Sequence, residues 1–162
     1  MRFSSAVGKA LMLALLGSLA QTAVAAENCP SPGMTKADFE RYFLCFNARD
    51  YACFTSYYDA DVVLVKGGKW PDLKGRDAII AFYRDVDARG LKEHVTPHAI
   101  EVQPQGATVD LEAHFQATSD WPDFGSRPLK AGDDWRLRGV LLYEIPCGKI
   151  TRIRPRPRPV QP

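Results

Sequence analysis

The chain has 162 residues, a quarter of them charged, with 21 lysines and arginines against 19 aspartates and glutamates. So even a balance leaves no basic face to follow a phosphate backbone, which excludes nucleic acid as the expected partner. The length supports one domain with a real core and hardly two.

The first 25 residues carry Arg2 and Lys9, then an apolar block over 10–20, and end on Ala23-Val24-Ala25. This is the charged, apolar and cleavable plan of a secretory signal peptide, and its apolar block falls short of the ~20 residues that span a bilayer. The expectation is an exported protein, extracellular or periplasmic, with no membrane span once 1–25 is removed. Without Arg2 and Lys9 the remainder holds 19 basic and 19 acidic residues. All four cysteines (Cys29, Cys45, Cys53, Cys147) lie in it, and an even count in an exported chain favours disulfides over metal or thiol chemistry. Three pairings are open. Cys45 and Cys53 flank a helix-helix turn, while Cys29 precedes the first helix and Cys147 sits in a late hairpin, which favours 45–53 with 29–147.

In chain order, Thr35 followed by Asp38 is an N-cap box, and Phe39, Tyr42, Phe43 and Phe46 recur at helical spacing until the turn at 47–50. A second short helix is expected over 51–58, a strand over 62–65, and a Gly/Pro loop at "GGKWPDLKG". "RDAIIAFYRDVDARG" is a third helix with Ile79, Ile80, Phe82, Tyr83 and Val86 on or near its buried stripe. From Lys92 the period changes to two, and 92–103, 107–119, 133–146 and 149–154 read as strands. Helices first and an antiparallel meander after them define an α+β domain over 26–154, in which a curved sheet wraps three helices. The Arg/Pro alternation of 155–162 reads as an extended, solvated tail.

"FERYFLCFNARDYACFTSYYDADVVLV", "LKGRDAIIAFYRDV" and "GDDWRLRGVLLYEIPCGKITRIR" together resemble the SnoaL-like branch of the nuclear transport factor 2-like superfamily over roughly 36–154. The resemblance implies a cone-shaped α+β barrel with one apolar pocket, often dimeric through the outer face of the sheet. It also implies that the Tyr-Asp-Ala-Asp corner is structural, with Asp59 and Asp61 turned to solvent or capping amides. Against the ketosteroid isomerases, whose carboxylic acids are tuned by their surroundings, Tyr42 falls on an oxyanion-holding tyrosine. Their general-base aspartate falls on Lys66, which reads as a solvated strand-edge residue, and their protonated aspartate falls near Val140. The acid that the SnoaL cyclases and limonene epoxide hydrolases keep after the last strand's Arg154 is Pro155. None of those mechanisms carries over whole.

The remaining polar chemistry lies in the sheet. In 107–119, Val109, Leu111, Ala113 and Phe115 alternate with Asp110, Glu112, His114 and Gln116. The polar row either faces water or a dimer partner, or lines the pocket beside Arg136 and Arg138; one register slip exchanges the two. His94 and His98, with His114 on the neighbouring strand, resemble in outline the histidine pair of the scytalone dehydratases. The candidates for catalysis are therefore Tyr42, His98, His114, Asp110 and Glu112 for proton movement, with Arg138 steadying an enolate. Candidates for touching a ligand are the loop tryptophans Trp70 and Trp121, with Trp135, Phe54, Tyr58, Phe82 and His94. No Cys/His spacing indicates zinc, and no cofactor is called for. Three readings stay open: a cofactor-free cyclase, isomerase or dehydratase on a polyketide- or terpenoid-like molecule, a carrier of a small apolar compound, and an interaction module using the outer sheet face.

Overall fold

The structure, a computed structural model, describes residues 33–67, 70–124 and 128–156. The expected leader at 1–25, Cys29 and most of the expected tail (157–162) lie outside the described residues. Helix α1 (Lys36–Asn47) starts where Thr35 accepts from the Asp38 amide at 3.2 Å while the Asp38 carboxylate accepts from the Thr35 N–H at 2.8 Å. This reciprocal box satisfies donors that a helix start otherwise leaves without partners. Phe39, Tyr42, Phe43 and Phe46 form its buried stripe. The chain then reverses at Arg49, whose φ of 55° is left-handed. For a residue with a Cβ that conformation is strained. Contacts at the other end of the side chain fix it: Nε donates to Asp87 at 3.0 Å, and the guanidinium lies over the Phe46 and Tyr83 rings.

Asp50 caps α2 (Tyr51–Thr55) by accepting from the Cys53 amide, and the Cys45–Cys53 disulfide bridges the two helices with a Cα separation of 5.7 Å. Cys147 is also disulfide-bonded. The second helix is shorter than the expected 51–58, because Tyr58 already belongs to β1 (Tyr58–Leu64). The corner is thus an irregular strand rather than a helix end, with a register shift between Tyr58 and Val63 where the Asp59 carboxylate accepts from the Asp61 amide at 3.0 Å. Such a local bond suits aspartate at a turn. Within the expected Gly/Pro loop, Leu73–Lys74 forms a further short strand, β2, against β1. Helix α3 (Arg76–Ala88) follows.

Strands β3 (Leu91–Gln103), β4 (Gly106–Ala117), β5 (Asp134–Glu144) and β6 (Ile150–Pro155) agree with the four expected from the sequence to within about two residues at each end. The six strands form one curved sheet in the order β2-β1-β6-β5-β4-β3. All neighbours are antiparallel except β1 and β6. The last residues extend beyond β6: the Arg156 amide donates to the Val140 carbonyl at 2.8 Å, so the expected tail does not begin at 155. Two linkages position the wall that matters most. Gly90, at φ 78°, turns α3 into β3, where a Cβ would collide with the Thr118 and Ser119 side chains. Asn47, the last residue of α1, donates to the Val95 carbonyl and accepts from the Val95 amide, both at 2.8 Å, and so clamps β3 to the helix.

Candidate functional site

The alternation on β4 resolves the register. Ala107, Val109, Leu111 and Ala113 are buried against the helices, so Asp110, Glu112, His114 and Gln116 face the other side of the sheet. There they meet β5 in a row of ion pairs: Arg138 to Asp110 at 3.0 Å, Arg136 to Glu112 at 2.6 Å, and His114 to Asp134 at 2.8 Å. The arginines hold both carboxyls below the ordinary range. His98 lies at the bulge between Pro97 and Ala99, exposed, and its charge acts on this same outer row. His94 pairs directly with His114 across β3 and β4, as the expected imidazole pair requires, but on the outer face. Five of the six expected catalytic residues (His98, His114, Asp110, Glu112 and Arg138), and His94 with them, therefore stand outside the apolar cavity.

That cavity, of about 380 Å³, lies between the helices and the inner face of the sheet. A volume of this size suits a small molecule. Tyr42, Phe46, Phe82, Leu111 and Phe115 supply much of its apolar wall. Of the expected ligand contacts, Tyr58 and Phe82 line it and Trp135 stacks on the lining Phe115 at 5.1 Å. Phe54 is instead fully buried core. Trp121 does not rim the mouth: its loop folds back so that Trp121 pairs with Leu129, and the indole is buried with Val86, Leu91 and Ala117.

Lys66 borders this greasy space from just beyond β1, and two further polar features occupy it. The first is a tyrosine cluster. The hydroxyls of Tyr42 and Tyr58 are 2.8 Å apart, and the rings of Tyr42 and Tyr143 pack edge to face. Burial pushes the Tyr42 phenol up to about 12 and raises those of Tyr58 and Tyr143 well above their ordinary range. Either hydroxyl of the Tyr42–Tyr58 pair can donate to the other, so the pair holds two O–H groups on the cavity wall that can be shared with a ligand oxygen.

The second is Glu93, which the sequence reading missed. It shares the inner face of β3 with Leu91 and Val95, opposite Phe115. Desolvation raises its carboxyl to about 7, opposed by the Arg49 charge and reinforced by Asp87. Glu93 borders both the apolar cavity and a wetter groove of about 420 Å³ lined by Asn47, Arg49, Asp87, His94 and His114. The carboxyl thus stands between a dry ligand space and a route to solvent. The available signal was the period-two placement of an acid in phase with Leu91 and Val95.

The chain belongs to the SnoaL-like domain family, whose model matches residues 39–153. Solved structures with the same fold include a candidate polyketide cyclase of Pseudomonas putida KT2440, at 22% identity and a TM-score of 0.61, covering 78% of this chain and 94% of that one. An epoxide hydrolase of Mycobacterium tuberculosis resembling limonene epoxide hydrolase gives 13% and 0.56 over 74% and 78%. RV0760c of the same organism, solved with estradiol-17beta-hemisuccinate, gives 22% and 0.57 over 76% and 92%. At these identities the likeness establishes the fold. No curated protein matches the chain. Among the described residues no helix is long and apolar enough to cross a membrane.

Proposed function

We propose that the protein is an exported, cofactor-free enzyme that moves a proton on a small apolar carbonyl compound, as an isomerase, cyclase or dehydratase of polyketide- or terpenoid-like molecules. The observation that carries this reading is Glu93, a carboxyl poised near neutrality on the wall of an apolar cavity. A base is most effective when its pKa lies near the working pH. As the carboxylate it takes a proton from the carbon beside the substrate carbonyl. The electron pair moves into that carbonyl, and the developing oxyanion accepts a hydrogen bond from Tyr42, whose hydroxyl lies 2.8 Å from that of Tyr58, a contact in which Tyr58 can donate once Tyr42 turns to the ligand. The protonated Glu93 then returns the proton at a second carbon, or to a leaving hydroxyl if water is eliminated.

The family's usual acids are absent at Lys66, Val140 and Pro155, and Glu93 supplies the base from a different strand. Relatives of this fold hold apolar ligands, RV0760c a steroid ester among them, which supports the choice of substrate class. The Cys45–Cys53 disulfide supports export. The outer face of the sheet, with its three ion pairs, is a charged surface and gives no support to an apolar interaction module. The test is hydrogen-deuterium exchange at carbon beside the carbonyl in a panel of cyclic and polycyclic ketones, followed by NMR with wild type and Glu93→Gln. Exchange by the wild type alone supports the reading. Tight binding of the ketones with equal, background exchange in both proteins would make the protein a carrier.

A further inference from the structure

Lys66 follows directly on Val65, whose amide is anchored to the Ile153 carbonyl at 2.8 Å, so its backbone is fixed at the end of β1. The side chain is half-buried, bent over aromatic rings instead of fully solvated. It lines the apolar cavity, with its ammonium 3.5 Å from the centre of the Phe82 ring and 4.2 Å from that of Trp70. Two aromatic faces stabilise a cation in part, but they accept none of its three N–H bonds in the directed way an oxygen does. Among the described residues no carboxylate lies within 4.0 Å of it, and no side-chain hydrogen bond engages it. Burial alone lowers its pKa. The Glu93 carboxyl answers instead to Arg49 and Asp87, so the two charges of the cavity stand apart and do not neutralise each other.

We propose that Lys66 is the recognition point for an acidic oxygen of the ligand, and that the protein takes flat apolar acids: ring systems bearing a carboxylate or the enolate of a 1,3-dicarbonyl. A ligand anion at Lys66 gives the half-buried ammonium a charged acceptor in place of water, and Phe82 and Trp70 pack the adjoining ring. The ligand is thereby oriented with its acidic end at the β1 side and its reacting carbon toward Glu93 on β3. Neutral compounds of the same shape lack this anchor. The inference deepens the proposed function and rests on its reading of the cavity as a ligand site.

Two fluorescent probes that differ in one group test it. 8-Anilino-1-naphthalenesulfonate carries a sulfonate, and N-phenyl-1-naphthylamine is the same ring system without it. Wild type should bind the anionic probe about tenfold to a hundredfold tighter than the neutral one, the range given by a hydrogen bond to a charged group. In Lys66→Met the preference should fall to about one, and Lys66→Arg should restore most of it. Continued binding of the neutral probe by Lys66→Met reports that the cavity is intact. If wild type and Lys66→Met prefer the sulfonate equally, or neither does while both bind the neutral probe, the anion site is overturned and the proton-transfer reading is untouched. If wild type binds neither probe, the cavity is not a ligand site and both readings fall.

Discussion

Glu93→Gln removes a charge that the folded protein is built to hold at a cost, so its effect on stability should change with pH. The carboxyl is raised from 4.5 to about 7 by burial. A raised acid contributes its full stability below the unfolded value and loses it as pH climbs through the folded value, because the unfolded chain releases the proton first. At about 1.4 kcal/mol per unit, wild type should lose on the order of 2–3 kcal/mol between pH 5 and pH 8 through this one group. Glutamine, close in shape and neutral, should show none of that loss. Urea denaturation of both proteins at pH 5, 6, 7 and 8 gives the difference directly. The two should be nearly equally stable at pH 5, and the variant should be more stable at pH 8. A difference that stays constant across the series would mean that the Glu93 carboxyl is not desolvated, and the reasoning from burial to an acid poised near neutrality would fail.

Tyr42→Phe should lower any ketone exchange rate about 10- to 100-fold by removing the oxyanion donor, with little change in substrate binding. Steady-state kinetics separates the two. Asn47→Ala should cost about 2 kcal/mol, since both bonds to the Val95 backbone are lost and the edge strand carrying Glu93 is released from α1. Thermal melts, with hydrogen exchange at Val95, report it. Replacing Cys45 and Cys53 together by alanine should cost about 2.5 kcal/mol, the chain-entropy value for so short a loop. Thiol titration of the unreduced, denatured wild type should find no free cysteine.

Helix α1, α3 and the four-strand meander were legible because their apolar residues keep a clean period and their ends carry chemical stops: Thr35 with Asp38 at the start of α1, Gly90 before β3. The cavity's polar groups were harder to read. β4 alternates perfectly, yet alternation alone does not say which face meets the helices, and the row richest in catalytic residue types turned outward to pair with arginines. Glu93 and Lys66 were passed over for the converse reason. Each is a charged residue on a strand or just past its end, ordinarily a solvated position, and only tertiary packing desolvates Glu93 and brings the Phe82 and Trp70 rings over Lys66. Trp121 was misplaced because the pairing with Leu129 that buries it is formed by two segments of one irregular loop.

The central claim is that Glu93 is the base of a proton-transfer enzyme, and the most direct measurement is the pH dependence of ketone α-hydrogen exchange in wild type and Glu93→Gln. The wild-type rate should rise through about pH 7 as the carboxylate forms, and the variant should lose about 10²- to 10⁴-fold together with that titration. A variant that keeps the wild-type rate and the same pH profile would contradict it.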